Sequence, residues 1–541
     1  MTPTGVSGSR VSGSRVSGSR VAGPAEEPGL TPLGAPPPIR RADPGPMSRL
    51  GRPPAADVLR GWLVTAGVTL LAAVLRLTNL GEPTDHGTPI FDEKHYVPQA
   101  WQMVRNGGIE DNPGYEKVVH PPLGKQLIAL GEATFGYDGV GWRIAAALAG
   151  ILCVLLVVRV ARRLTRSTAL GGLAGLLLVC DGMSHVQSRM GMLDVFSALF
   201  VLAAFATLLC DRDDVRARMA LVLTRDRVDE HPFGPRWGVR WWRLATGVLL
   251  GLGCGVKWGG VYHIVAFGIL AVLWDVSLRR RAGVARPWVG TIVRDLGPAL
   301  WALALVPVLA YLSTWWAWFG SETGIDRHQV GREIGPGGFW SFLPDSLRSL
   351  WYYHGQMLAF HEGLTTQVAG QHPWESKPWT WPMGLRPMLY EYADQGVRGC
   401  GGGDCVSAVM LIGTPALWWP AIPVLAWGLW RAVTRADWRW GAVLVGYGAG
   451  FLPWFLNLDR QMYFFYMMPV APFLVLATVL VMGAMLGEAG ASERRRRIGL
   501  LVVSGWVTLI LVNFVWLWPI LQGTPITEAH WQAELWLPSW R

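Results

Sequence analysis

Asp92 and Glu93 are adjacent carboxylates in the run Phe91-Asp92-Glu93-Lys94-His95-Tyr96, shortly beyond the apolar stretch Gly61 to Leu77. That stretch reads as a first membrane span. An arbitrary Asp-Glu pair would be two solvated loop acids. Here the neighbours are apolar and aromatic, so the pair is expected at a partly dry membrane boundary. A carboxylate there has a raised basicity and can take a proton in a transition state. Asp92 and Glu93 are therefore read as a catalytic pair acting on something the membrane presents. His95 and Tyr96 lie beside them and could touch either substrate.

Five further groups could serve such chemistry. His120-Pro121-Pro122-Leu123-Gly124-Lys125 opens an amphipathic stretch, Leu123 to Phe135, that reads as an interfacial helix. His120 and Lys125 could meet an anionic headgroup there. Charges inside apolar segments are costly and usually paired or functional. Arg189 and Asp194 are close enough in sequence to form a structural pair. Lys257, in Gly255-Val256-Lys257-Trp258-Gly259-Gly260, has no acid nearby in sequence, and its glycines leave room for an external phosphate. Arg143 could make a second phosphate contact. The run His372 to Pro382, followed by Arg386, offers Trp379 and Trp381 as a surface for sugar or extended peptide.

Elements must be found to position these groups. Half the residues are hydrophobic (51%), only 16% are charged, and there are 31 tryptophans. Soluble domains carry about 25% charged residues. Repeated long apolar runs mean a polytopic membrane protein, and tryptophan suits its interfaces. About eleven spans are expected, near 61–78, 142–160, 168–184, 192–210, 243–257, 258–275, 297–319, 406–430, 438–456, 463–487 and 498–519. With the N-terminus inside, the Arg clusters at 159–163, 211–240, 279–281, 431–439 and 494–497 all fall on the cytoplasmic side. The net charge of +10 is thus spent on membrane topology, and no nucleic-acid partner is expected.

This topology leaves two large extracytoplasmic loops, 80–141 and 320–405, and places the C-terminus outside. Arg143, the Arg189–Asp194 turn and Lys257 all come to the external face. Residues 1–57 contain Val-Ser-Gly-Ser-Arg three times and a Pro-rich run, and read as a disordered cytoplasmic tail without a signal peptide. A membrane module at 58–319, the loop 320–405 and a four-span module at 406–541 follow. Four of the six cysteines lie in or beside apolar segments; Cys400 and Cys405 flank a polar Gly-rich run and could form an external disulfide. They supply too few ligands for a metal site.

The motifs Phe91-Asp92-Glu93-Lys94-His95-Tyr96, His120 to Lys125, Gln187-Ser188-Arg189 with Leu193-Asp194, Ser376-Lys377-Pro378-Trp379-Thr380-Trp381-Pro382 and Tyr463-Phe464-Phe465-Tyr466 together resemble the protein O-mannosyltransferases. The style of the sequence resembles the actinobacterial branch, and the resemblance runs from about Val58 to the C-terminus. It implies an all-α GT-C glycosyltransferase fold with interfacial helices in two large external loops. It implies inverting transfer of mannose from polyprenyl-phosphate-mannose to Ser or Thr hydroxyls of translocated polypeptides, at the outer face of the bacterial plasma membrane. Asp92 would be the base, and Glu93 would hold the acceptor or support that base. Arg143, Lys257 and His120 would meet the donor phosphate. Neither metal nor cofactor is expected, because Lys and Arg can serve a leaving phosphate. Membrane lipid and a Sec-type translocon are the expected partners. The segment 320–405 is too short for the β-trefoil MIR repeats of eukaryotic members. Two other readings compete: a GT-C enzyme with a lipid or glycan acceptor, and a polyprenyl-lipid transporter. The transporter would need polar groups at the membrane midplane, whereas the charges here cluster at the external face.

Overall fold

Where water is absent, every backbone N–H and C=O must find its partner within the chain, so apolar runs fold as helices. The computed structural model describes residues 57–110, 119–224, 232–365, 372–487 and 490–541. The tail read at 1–57 lies outside these except for Asp57. Among the described residues, six helices are long and apolar enough to cross a membrane. They are α1 (Val58–Leu77), α4 (Gly139–Thr165), α7 (Asp194–Thr224), α9 (Gly260–Arg281), α10 (Pro287–Thr314) and α15 (Glu493–Trp516). Shorter helices occupy other expected spans: α5 (Thr168–Val179), α8 (Trp241–Val256), α12 (Ala421–Thr434), α13 (Trp438–Phe451) and α14 (Ala471–Leu486). Between the long helices lie α2 (Glu93–Arg105), α3 (Leu123–Phe135), α6 (Gly182–Gln187) and α11 (Asp345–Gly363). Helix α14 is apolar on every side because it is buried on most of them, against α4, α5, α12, α13 and α15.

The charged groups segregate to two ends. At one, Arg163 bonds Asp213 at 2.7 Å, and the Arg212 guanidinium lies 3.3 Å over the Trp438 ring. Arg240 and Arg243 share Asp211 and Asp275 in a buried network, and Arg279 is paired with Asp295. The loops expected to share one membrane face therefore touch one another. The groups singled out for chemistry gather at the opposite end.

Helices α8 and α10 approach closely through a stripe of small residues. A Cβ on Gly247 would overlap the Ala302 carbonyl, one on Gly251 the Pro307 carbonyl, and one on Gly255 the Thr314 side chain. This is the small-xxx-small packing of membrane helices. Of the glycines expected to leave room beside Lys257, Gly255 instead seats α10 against Thr314, while Gly259 has open space around it. Lys257 stands at the end of α8, where the backbone turns extended.

The all-helical expectation needs a correction. Met388–Ala393 (β1), Cys405–Leu411 (β2) and Ile526–Thr527 (β3) form an antiparallel sheet in the order β1-β2-β3. The span expected at 406–430 therefore begins as a strand, and after one helical turn at Pro415–Trp418 its longer helix starts only at Ala421. A short, mostly apolar run bounded by turn signals reads equally as strand or buried helix, and Pro420 separates the single helical turn Pro415–Trp418 from the helix that follows. Cys400 and Cys405 are joined by a disulfide at the start of β2.

Gly251→Val should cost about 1–3 kcal/mol or more, since the clash is with backbone that cannot move aside. Gly259→Ala meets nothing within 4 Å and should be neutral. Melting temperature and monodisperse yield in detergent separate the two.

Candidate active site

Asp92 stands at the N-cap of α2, where an aspartate ordinarily accepts a helix N–H. Its side chain makes no such bond. The carboxylate instead lines a cavity of about 1320 Å³. Burial raises its pKa above the usual value, against the pull of His95 and Lys257 and with the help of Asp194. Single small-molecule pockets span about 300–1,000 Å³, so this one has room for more than one reactant. His95, Tyr96, His120 and Lys257 line it too.

Glu93 does not reach the cavity. It is fully buried and meets Arg143, also fully buried, in a two-point pair with 2.8 Å bonds to each oxygen. The Glu93 oxygens also accept the backbone N–H groups of Gly191 at 2.6 Å and Ile90 at 3.3 Å. Arg143 donates further to the carbonyls of Leu80 and Pro83. The expected catalytic partner and the expected phosphate ligand thus satisfy each other away from the cavity, which leaves Arg143 no phosphate to meet and leaves Glu93, of its two expected roles, only the support of Asp92. Two buried charges this close are stable only as a pair.

The Arg189–Asp194 pair is not formed either. Arg189 donates to the carbonyls of Arg76, Thr78 and Asn79 at 2.9, 2.6 and 2.7 Å. Those carbonyls end α1, and a cation suits the negative end of a helix. Asp194 is held by Lys257, whose Nζ lies 2.9 Å from each carboxylate oxygen. Sequence proximity suggested the wrong partner because the true one is brought by a different helix.

Two residues that the sequence reading missed are His361, from the second external segment, and Arg460, from the turn between the spans expected at 438–456 and 463–487. Arg460 lines the cavity, donates to His361 at 3.1 Å, and lies 5.7 and 5.8 Å from the Trp454 and Tyr466 rings. Its Nε is buried without a hydrogen-bond partner among the described residues. His361 also meets the Val119 carbonyl at 3.0 Å. Burial, then Arg460, lowers the His361 pKa to about 4. Burial, reinforced by the cations Lys257, Lys125 and Arg460 and by the neighbouring His361 ring, holds His120 well below the usual histidine value, so both rings are neutral near pH 7. Lys125 turns away from any headgroup and pairs with Glu110 in the interior.

Trp379, Trp381 and Arg386 do not line the cavity. Trp379 is exposed, while Trp381 is buried and donates to Ser376 at 2.8 Å. Arg386 binds the carbonyls of Ser539, Arg541 and Pro373. The motif around them instead secures the turn that carries Arg460. Lys377 donates to the Leu458 and Arg460 carbonyls at 2.8 and 3.1 Å, and the Ser376 N–H donates to the Met462 carbonyl at 2.9 Å. In Tyr463-Phe464-Phe465-Tyr466, three of the four residues face the cavity. That aromatic run was the signal that could have pointed to Arg460.

Comparison with known proteins follows the same lines. Residues 132–321 match a family profile described as dolichyl-phosphate-mannose-protein mannosyltransferase. Residues 346–540 match the C-terminal four-transmembrane region of protein O-mannosyltransferase. The chain is 55% identical to a polyprenol-phosphate-mannose–protein mannosyltransferase of Mycolicibacterium smegmatis, over 90% of this chain and 94% of the relative. It is 54% identical to the Mycobacterium tuberculosis protein of that name, over 95% and 97%. The fold is similar to the Saccharomyces cerevisiae protein O-mannosyltransferase Pmt1-Pmt2 complex bound to the sugar donor. The TM-score is 0.69 at 16% identity, covering 92% of this chain and 94% of that one.

Glu93→Gln keeps the volume but strands the Arg143 charge, and should destabilise the protein by about 3–5 kcal/mol. A lower melting temperature in detergent is the expected result. Unchanged melting with lost turnover would return Glu93 to the chemistry.

Proposed function

We propose a reaction for this chain, which belongs to the protein O-mannosyltransferase family: transfer of mannose from a polyprenyl-phosphate-mannose donor to Ser or Thr hydroxyls of a polypeptide. The observation that carries the reading is the wall of the cavity, where the uncapped Asp92 carboxylate stands with Lys257 and Arg460. The protein is a multi-pass membrane protein. We place the cavity on the extracytoplasmic side, with the N-terminus inside, the C-terminus outside and about eleven spans in a GT-C arrangement. The Arg-rich end opposite the cavity supports that orientation. Acceptors would arrive as extended segments leaving a secretion channel.

A hydroxyl is a poor nucleophile until its proton has somewhere to go. In the proposed step the acceptor oxygen attacks the mannose anomeric carbon as the bond from that carbon to the phosphate oxygen breaks. The acceptor proton passes to Asp92. Negative charge develops on the departing lipid phosphate, and Arg460 and Lys257 stabilise it. Lys257 is shared with Asp194 and so contributes less than a free cation would. Neutral His120 can donate one N–H bond but brings no charge, whereas the single N–H of neutral His361 is engaged by the Val119 carbonyl while its Nδ1 accepts from Arg460. Attack and departure on opposite faces of the sugar invert the anomeric centre, the logic of single displacement. The apolar wall at Val261, Ile264 and Val308 offers the lipid chain a path out of the cavity. With two cations available for the phosphate, we propose that the reaction needs no divalent metal.

The test uses the full chain in proteoliposomes with labelled polyprenyl-phosphate-mannose and a Thr-rich peptide. The parent should yield mannosyl-peptide, and Asp92→Asn should lose about 10²–10⁴-fold in turnover. Label in lipid and never in peptide would favour a lipid-acceptor enzyme of the same fold. Arg460→Gln should raise the donor KM more than it lowers the peptide affinity. Chelation by EDTA should leave the rate unchanged.

The pH profile gives a second check. A base works only unprotonated, so kcat should fall as pH drops through the Asp92 pKa. Burial places that midpoint above the ordinary aspartate value of about 3.9. A flat profile through the acid range would remove Asp92 as the base.

A further inference from the structure

Phe91, the residue before Asp92, holds its backbone at φ +50°. That left-handed region is closed to a bulky side chain unless its surroundings keep it there. The Phe91 ring lies flat against Tyr390, with centroids 4.1 Å apart and planes within 11°. Its other neighbour is Phe465, met edge-on at 6.1 Å and 79°. Tyr390 is itself fixed. Its ring is only 4% exposed, and its hydroxyl accepts a 3.0 Å hydrogen bond from the Gln187 amide. It lies in β1 where the register shifts between Leu389 and Glu391, and a bulge of this kind re-aims a side chain.

The clamped turn carries Asp92 directly. The Phe91 carbonyl accepts the Lys94 N–H at 3.1 Å, and the Asp92 carbonyl accepts those of His95 and Tyr96 at 3.0 and 3.2 Å. Rotation of the Phe91 peptide would therefore swing Asp92 together with the first turn of α2. Phe465 also faces the other side of the site, since the Lys257 Nζ lies 5.6 Å from its ring. The aromatic stack thus spans from the sheet, across the turn before Asp92, to the wall that carries Lys257.

We propose that Tyr390 is a positioning residue for the transfer: by stacking on Phe91 it holds the left-handed turn that aims the Asp92 carboxylate into the cavity. The second external segment in this way sets the geometry of a base supplied by the first. The step served is passage of the acceptor hydroxyl's proton to Asp92 while the carbon–oxygen bond to the acceptor forms and the sugar–phosphate bond breaks. This inference rests on Asp92 as the base.

The experiment compares Tyr390→Phe, Tyr390→Leu and Phe91→Leu in the full-length protein, in the same peptide assay. Tyr390→Phe keeps the ring and should hold kcat close to the parent's. Tyr390→Leu fills the space without a ring face and should lower kcat by about 10²-fold, the scale of a 1 Å misplacement. Donor and peptide KM values should stay near the parent's, because neither substrate touches Tyr390. Phe91→Leu removes the other half of the stack and should show the same kcat-only loss, so the test survives if one leucine variant fails to fold. Parent-like kcat in a folded leucine variant overturns the proposal, as do equal losses in Tyr390→Phe and Tyr390→Leu. Asp92→Asn separates the two readings. If it is fully active, the base assignment has failed; if it is inactive while Tyr390→Leu is not, only the clamp has failed.

Discussion

Glu93 and Arg143 come from segments fifty residues apart and meet where neither has any contact with solvent. Burying two ions costs several kcal/mol each, and the cost is recovered only when geometry and hydrogen bonding are nearly complete. Here they are: the carboxylate accepts two guanidinium bonds and two backbone N–H groups, and the guanidinium also reaches two carbonyls. The pair pins the start of α2 to α4 and to the turn at Gly191. The turn that presents Asp92 is held in place by this pair. Asp92 is free to face the cavity because its neighbour does the structural work.

The same division of labour recurs around the cavity. Lys257 is aimed by a helix whose glycines let α10 close against it, and is then steadied by Asp194 from α7. Arg460 lies on a turn held by Lys377 and Ser376 from the second external segment. Functional charges stand at helix ends and turns, each braced by a residue from elsewhere in the chain. Such bracing keeps charges oriented in a low-dielectric setting, where their interactions are strong and reorganisation is costly.

Several motifs were legible in the sequence as important while their roles were not. Ser376-Lys377-Pro378-Trp379-Thr380-Trp381-Pro382 looks like a sugar platform by composition, yet its lysine grips backbone carbonyls and one of its tryptophans is buried. Asp-Glu adjacency suggested a pair of equal function. At a helix start, however, successive side chains point about 100° apart, so one can face the cavity while the next faces the core. Val406 to Leu411 carried no periodicity that distinguishes strand from helix, and its strand form depends on partners at Met388–Ala393 and Ile526–Thr527.

By itself the sequence determined the membrane class, the positions of most helices, the segregation of arginine clusters and the family motifs. These are local properties, written in hydropathy over windows of about twenty residues. Tertiary structure alone decided which charge pairs with which: Glu93 with Arg143, Lys257 with Asp194, Arg189 with the end of α1, and Arg460 with the cavity. The physical reason is that a buried charge takes whichever partner packing brings within hydrogen-bond reach. In a bundle of antiparallel helices, that partner usually lies on another helix end, many residues away.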